Sequence, residues 1–546
     1  MINHRSFKHS IFFVPLMMIL SAVCFRLSWP VNEITPLIFI SFVPLLASLQ
    51  VIEESSRKWK TRRAFITTYT LFIIWNISTT WWVRHATMGG AVAMVVLNSL
   101  FMALPVMCYF FTLRVTRSLT WSLGSFVIYW LAFEKIHLTW DISWPWLTLG
   151  NAFAMKPEWV QWYEYTGKLG GSLWVLMVNV FIFSVWNKYL SDSYKSKVRL
   201  KMIIASLLLI LLPMIFSSYI YHHYNHKGES VEVVVVQPNI DPYKEKFEGG
   251  KNYIPVREQV DRFISMSKEK LSDSTAFLLW PETAIDINAN EEKLTQYRFV
   301  REILNFKSNY PELSLLTGLT TYKVQEEKKK TSTSRFRENI GYYDVYNTGL
   351  FIDKKNQLHF YHKSKLVPGV EIVPYPEIFN NISYAFDLGG TVGSLGIQDE
   401  RSNFNSGDVA VAPAICYESV YDDFMAEYVK KGSQIIFLIT NDGWWENTEG
   451  HKQHLRYASL LAVSTRRSIA RCANTGISAF IDQRGNITKA TKYWEPAVIR
   501  SDVELNEFQS VFVRYGDYIG RMSEWFALFI LISTIVRYKI YGIRKN

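Results

Sequence analysis

Cysteine is scarce in this chain of 546 residues. Cys24, Cys108, Cys416 and Cys472 are all it has, with no Cys-x-x-Cys pair and no spacing of a disulfide framework. Two of the four fall inside apolar segments, so a disulfide-stapled fold is excluded. A Gly-rich phosphate cradle and an internal repeat are both missing, which argues against nucleotide binding through a P-loop and against a solenoid. No small-x-small cleavage motif follows the first apolar segment, 9–28. With its basic flank of His4, Arg5 and Lys8, that segment reads as an uncleaved anchor. Metal-ligand spacing is absent too: His451 and His454 have no carboxylate or cysteine at a usual distance, so they read as a solvated helix face. No metal and no cofactor are expected.

The net charge of +11 invites a nucleic-acid partner, but Lys and Arg gather at the ends of apolar segments instead of lining a groove. No nucleic-acid partner is expected. The mean hydropathy of +0.03 hides two different parts. Runs of about 20 apolar residues, the length of a membrane span, occur at 9–28, 34–51, 64–83, 90–114, 119–138, 170–188 and 201–221. One more lies at 522–541. Basic residues mark alternate loops: Arg57, Lys58, Lys60, Arg62 and Arg63; Arg114 and Arg117; then Lys188, Lys195, Lys197, Arg199 and Lys201. Loops 28–33 and 84–89 are short and poor in Lys and Arg. The positive-inside rule then makes the N-terminus and the basic tail, Arg537 to Lys545, cytoplasmic. Seven crossings put the middle of the chain outside. The organisation expected is a membrane domain over 1–228, an outer domain over 229–507, and a C-terminal span with its tail over 508–546. The aromatic loop 139–169 reads as an interfacial belt, with a lipid-facing vestibule as the alternative. Glu134 and Lys135 lie near a span end and receive no role.

From about 229 the periodicity changes. Strands are expected at 231–236, 276–280, 313–318, 346–352, 357–362, 409–415, 434–440 and 476–482. Helices are expected near 255–271, 291–307, 420–431 and 451–471. The alternation predicts a layered α/β domain. The charged stretch 326–337 reads as a solvated loop.

Three strand ends present reactive groups: Glu282 after Leu279-Trp280-Pro281, Lys363 after His362, and Cys416 after Ile415. Groups beyond the carboxyl ends of strands tend to converge in open α/β sheets. Their chemistry is complementary: a thiol needs a base or a nearby cation, and an ammonium stabilises an oxyanion. Side-chain parity alone leaves Lys363 and Lys365 equally placed.

Trp280-Pro281-Glu282-Thr283, Lys363 with Leu366-Val367-Pro368 and Glu371, and Ile415-Cys416-Tyr417-Glu418 resemble the Glu–Lys–Cys motifs of the nitrilase (carbon–nitrogen hydrolase) superfamily. Thr440-Asn441-Asp442-Gly443-Trp444-Trp445, Gln453-His454 and Arg471 through Gly476 extend the match. Seven spans before this domain and one after it resemble the membrane-anchored branch, the bacterial apolipoprotein N-acyltransferases. The resemblance implies an α-β-β-α sandwich joined to a multi-span α-helical membrane domain. It implies Cys416 as a nucleophile that becomes a thioester, Glu282 as general base and Lys363, not Lys365, as the oxyanion cation. Glu371 and Glu418 are implied as supports. Pro368-Gly369-Val370-Glu371 departs from the family's Pro-Phe-Gly-Glu, which leaves the Glu371 loop less secure. Tyr417, Trp444, Trp445 and Phe247 are candidate lining for an acyl pocket, with core packing the equal alternative. The implied reaction is ping-pong acyl transfer from a phospholipid donor to the N-terminal amine of a diacylglyceryl-modified apolipoprotein, on the periplasmic side of a bacterial inner membrane. The rivals are a membrane-tethered amidase and a transporter or receptor with a degenerate outer domain.

Overall fold

The computed structural model describes residues 11–190, 196–225, 228–327, 331–375 and 394–542. The basic flank His4, Arg5 and Lys8, loop residue Lys195 and tail residues Arg544 and Lys545 lie outside the described residues. So do the side chains of Lys188, Lys197 and Arg199.

The chain divides into two compact units. The first comprises Met1–Trp81, Ala91–His223 and Asp517–Asn546; the second comprises Trp82–Gly90 and Tyr224–Gly516. The helical unit holds α1 (Phe13–Ser28), α2 (Val43–Glu54), α3 (Lys60–Thr80), α4 (Met88–Thr116), α5 (Leu119–His137), α6 (Tyr163–Leu190) and α7 (Ser196–His223), and ends with the C-terminal helix Tyr518–Tyr541. The described parts of the expected apolar runs are mainly helical, but among the described residues only five stretches are long and apolar enough to cross a bilayer by length and composition. These are Thr35–Glu54, Met88–Thr116, Tyr163–Asn187, Leu200–His223 and Tyr518–Tyr541. α1 has 16 residues, α3 is interrupted by threonines and Asn76, and α5 carries Glu134 and Lys135. Those charges are used internally. Glu134 Oε1 accepts from Trp130 Nε1 and Leu149 N at 3.0 and 2.9 Å. Lys135 Nζ lies 3.4 Å from Asp517 Oδ2, and Asp517 Oδ1 caps the C-terminal helix through Gly520 N at 2.9 Å.

The aromatic loop is divided: Trp140, Trp144 and Trp159 are half-buried and Tyr165 is exposed, while the rest turn inward. Trp146, Trp162 and Tyr163 are buried. Short 3-10 turns at Pro145–Leu147, Leu149–Phe153 and Pro157–Trp159 fold the loop inward. Asn151 holds that fold by donating to the carbonyls of Pro145 and Trp146.

The second unit is a two-sheet sandwich. Its strands are β1 (Ser230–Gln237), β2 (Thr275–Leu279), β3 (Ile285–Asn290), β4 (Ser314–Gln325), β5 (Arg335–Arg337), β6 (Gly341–Ile352), β7 (Leu358–His362), β8 (Phe404–Ser406), β9 (Val409–Ile415), β10 (Ile435–Thr440), β11 (Ile469–Ala473), β12 (Ala479–Ile481), β13 (Ile487–Ala490) and β14 (Ala497–Glu504). One sheet runs β14-β1-β2-β4-β6-β5, with β3 beside β4 and β7 beside β6; the other runs β13-β12-β11-β10-β9-β8. The helices of this unit are α8 (Val256–Lys268), α9 (Arg298–Lys307), α10 (Asp422–Lys430), α11 (Glu449–Thr465) and α12 (Val511–Tyr515); the C-terminal helix is α13.

The run Val231–Val236 explains the layering. Val234 and Val236 pack with Val260 and Phe263 of α8 and Val300 and Ile303 of α9, while Val233 and Val235 are fully buried on the opposite face. Phe277 of β2 meets Phe437 of β10 edge-on at 5.1 Å, so the two sheets face each other. A strand buried on both faces reads as an uninterrupted apolar run, which is why the central strands were legible. The helix expected to 471 instead ends at Thr465, where Arg466 adopts φ 52. β11 begins three residues later, ahead of the strand expected at 476–482. The α-β-β-α expectation holds.

Candidate active site

Three turns at the ends of β2, β7 and β9 bring the reactive groups together. β2 ends in Trp280-Pro281. Trp280 is fully buried, stacked on Phe263 at 4.9 Å with its Nε1 donating to Ser267 Oγ at 3.0 Å. Pro281 stops the ladder, and Thr283 takes φ 45, so the carboxylate of Glu282 turns inward. The turn lies directly on Gly318 of β4, whose N–H donates to Pro281 O at 3.0 Å. A Cβ at Gly318 would stand 2.3 Å from Thr283 N and 2.6 Å from Glu282 Cα, so only glycine fits there.

Glu282 is almost fully buried and fully bonded. Oε1 accepts from Asn347 Nδ2 at 2.8 Å and from Lys363 Nζ at 3.1 Å; Oε2 accepts from Asn441 N at 3.0 Å. Lys363 Nζ also lies 2.8 Å from Glu371 Oε1, and the lysine side chain is only 1 % exposed. Burial opposes its charge, but the Glu282 and Glu371 carboxylates outweigh it and hold the ammonium well above the usual lysine range. Because β7 ends at His362, both lysines sit in a loop and strand parity does not apply to them. Lys363 enters the carboxylate cluster, whereas Lys365 Nζ lies 5.2 Å from the Tyr421 ring. The departure before Glu371 is accommodated by a tight turn. Gly369 takes φ 78, and Glu371 N bonds Val367 O at 2.9 Å while Glu371 Oε2 accepts from Val367 N at 2.8 Å.

Cys416 follows β9 at φ 51, a left-handed conformation that is costly for a side-chain-bearing residue and concentrates at functional sites. Its thiol is buried. Burial and the Glu282 charge push the thiol well above its usual range, while Lys363 draws it down. Glu418 clamps the turn. Its Oε2 accepts from Ile415 N at 2.8 Å, and Oε1 from Tyr361 Oη at 2.6 Å, Ser364 N at 2.7 Å and Lys365 N at 3.2 Å. One carboxylate thus ties the cysteine turn to the segment that follows Lys363. Burial pushes its carboxyl above the usual range, against hydrogen bonds from Tyr361, Ser364 and Ile415 that draw it down.

His454 is fully buried, contrary to the solvated face expected of it, and His451 is buried with it, stacked on Tyr493 at 3.9 Å. His454 Nδ1 lies 3.0 Å from Asp442 Oδ1 and its Nε2 3.1 Å from the carbonyl oxygen of Cys416. Asp442 also accepts from Thr440 Oγ1 at 2.8 Å and from Arg471 Nη2. Burial works against the Asp442 charge, but Arg471 and His454 hold it below the usual carboxylate range. Cys416, Asp442 and His454 place their ligand atoms within 4.8 Å of one another, the span of a metal site. Asp442 and His454 are already committed to Arg471, Thr440 and each other, so the donor set does not fit a resident ion. Asn347, Asp442, His454 and Arg471 escaped the sequence reading as working residues. The signal available was polar side chains within otherwise buried runs.

Of the candidate lining residues, Tyr417 is buried edge-on to Tyr421 at 5.2 Å. Phe247 stacks on Trp444 at 6.0 Å, and Trp445 lies 5.5 Å from His454. Lys246, beside Phe247, donates to Thr283 Oγ1 next to the Glu282 turn.

The domain model "Apolipoprotein N-acyltransferase N-terminal domain" matches residues 21–181, and "Carbon-nitrogen hydrolase" matches 324–511. The second match contains Lys363, Glu371, Cys416 and Glu418; Glu282 lies before it. The apolipoprotein N-acyltransferase of Chlorobaculum tepidum is 29% identical over 538 residues, covering 96% of this chain and 97% of that protein. The chain is thus similar to apolipoprotein N-acyltransferases over nearly its whole length. The apolipoprotein N-acyltransferase of Geobacter metallireducens is 25% identical over 510 residues, 92% of this chain and 91% of that protein. A CN-hydrolase superfamily protein of Xanthomonas campestris, of known structure, aligns at 12% identity and a TM-score of 0.34, covering 50% of this chain and 91% of that one. The nitrilase-like assignment therefore rests on the family match and the sheet topology.

Proposed function

We propose that the protein transfers a fatty acyl chain from a membrane phospholipid, through a thioester on Cys416, to the N-terminal amine of a diacylglyceryl-modified lipoprotein. The observation that carries this reading is the buried cluster of Glu282, Lys363 and Glu371 around a cysteine held in a left-handed turn, in a chain whose relatives are named apolipoprotein N-acyltransferases.

The resting thiol is protonated, so a base must act first. As Cys416 Sγ attacks the ester carbonyl, its proton passes to Glu282. The Lys363 ammonium stabilises the oxyanion, a contribution of about 3–4 kcal/mol for one well-placed donor. Glu371 keeps the lysine charged and aimed. On collapse the C–O bond breaks, and the proton on Glu282 goes to the departing lysophospholipid oxygen. In the second half-reaction the lipoprotein amine attacks the thioester and Glu282 takes the amine proton. The C–S bond breaks, and the proton on Glu282 passes to the departing sulfur, which restores the thiol and the carboxylate. Phe247, Trp444, Trp445 and Tyr417 are proposed to border the acyl chain.

Both substrates stay in the bilayer, so an anchored enzyme meets them by lateral diffusion. We place the protein in a bacterial inner membrane, with the α/β domain on the periplasmic side and both termini in the cytoplasm. The support is the basic clusters at one set of helix ends. The test is an acyl-transfer assay in which full-length protein is mixed with a fluorescent phospholipid and a diacylglyceryl-cysteine peptide. N-acylated peptide is expected, with Lys363→Met slower by at least about 100-fold. Release of free fatty acid at the same rate with and without peptide would instead mark a hydrolase.

A further inference from the structure

The helical unit has a charged cleft that the proposed chemistry does not use. It opens where the N-terminal end of α3 meets the C-terminal end of α4 and has a volume of about 580 Å³. Three cations, Lys60, Arg62 and Arg114, line it together with Trp59, Phe65 and Met107. Arg114 is braced: Nη1 donates to Thr61 Oγ1 at 2.7 Å and Nε lies 3.1 Å from Glu53 Oε2. Lys60 Nζ stands 3.9 Å from Glu53 Oε1. Glu53 offsets one of the three charges. Arg62 is exposed and makes no hydrogen bond or ion pair among the described residues.

The walls of the cleft are amphipathic. Trp59 is 74% exposed, and Trp121, in the first turn of α5 that begins just after α4, is 51% exposed. Indole rings favour the headgroup level of a bilayer. Deeper along the same two helices, Ile66 and Leu104 are 49% and 52% exposed. The far end of α5 carries Lys135 and meets Asp517, so the cleft lies at the opposite end of α5 from that pair.

We propose that this cleft binds an anionic phospholipid, with the phosphate held by Arg62, Arg114 and Lys60 and the acyl chains running over the exposed apolar surface of α3 and α4. Cations alone suit any phosphate. Their continuity with exposed indoles and aliphatic side chains selects a lipid over a soluble anion. Basic pockets between spanning helices bind such headgroups, and each nearby Lys or Arg strengthens attachment to an anionic surface about five-fold. A topology signal needs only the number of charges, not a cleft with a braced arginine.

The test uses the full chain in a neutral detergent, read by native mass spectrometry and thermal unfolding with added phosphatidylglycerol, phosphatidylcholine or glycerol 3-phosphate. Phosphatidylglycerol should remain bound and raise the unfolding midpoint, while the other two do neither. Arg62→Gln, at a side chain with no internal partner, should lower phosphatidylglycerol retention about five-fold while its lipid-free midpoint is unchanged. Equal retention of both phospholipids, equal retention by Arg62→Gln, or the same stabilisation by glycerol 3-phosphate would overturn the proposal. The proposal rests on the cleft and not on Cys416, and the comparison with Arg62→Gln, made in a Cys416→Ala background, keeps the two sites apart, so failure here leaves the acyl-transfer reading untouched.

Discussion

At the scale of the residue, the site is held by groups that never touch substrate. His454 is the sharpest case: wedged between the Asp442 carboxylate and the Cys416 carbonyl, it supports the backbone of a residue in a left-handed turn. His454→Ala should lower kcat for acyl transfer by about 100-fold, the cost of misplacing a nucleophile by an ångström. KM should stay within a few-fold, and His454→Gln, which keeps a donor near the carbonyl, should recover part of the rate. An unchanged kcat would remove the histidine from the account. Lys246 carries a different consequence. Burial lowers its pKa to about 8, against the partial relief of Asp286 and Glu282. Between about pH 8 and the usual lysine value near 10.4, the unfolded chain binds the proton that the folded chain has released. Stability therefore rises with pH across that window and is flat below it, where both states are protonated. Lys246→Met should raise the midpoint of thermal unfolding at pH 7 and flatten the rise between pH 8 and 10. A variant that melts lower at pH 7 would contradict this.

At the scale of the element, strand ends do the positioning, and the cost is close backbone packing. Gly318→Ala would drive a methyl into the Glu282 turn. Overpacking of this kind costs about 1–3 kcal/mol, so both stability and acyl-transfer rate should fall; full activity would show that the turn can shift freely. The strands that carry the three reactive residues were legible because apolar runs end abruptly at Pro281, His362 and Cys416. Edge elements were not legible. β3, β5, β8 and β13 are short, polar or irregular, so neither periodicity nor burial marks them. The end of α11 was misread because Arg466 and Arg467 look like a continuing helix face. They are fully buried, and Arg467 donates to the carbonyls of Ser433 and Phe508. His454 was misread for the same reason: sequence spacing does not say which polar side chains are satisfied internally.

At the scale of the whole molecule, two units with different physics share one chain. The helical unit buries a polar set that a single-helix reading treats as anomalies. Asn98 Nδ2 donates to Asn76 Oδ1 at 2.7 Å, and Lys135 pairs with Asp517, 382 positions along the chain. Hydropathy located the eight α-helices among the described residues of this unit, but it could not separate those long and apolar enough to cross a membrane alone from those made acceptable by such partners. The α/β unit carries the proposed chemistry, and its central claim is a covalent one. Intact-protein mass spectrometry of the enzyme purified from membranes tests it directly. The account predicts a fatty-acyl mass on Cys416 that is absent from Cys416→Ala and discharged by a diacylglyceryl-cysteine peptide but not by water. No adduct with any phospholipid, or an adduct that water removes as fast as the peptide does, would contradict it.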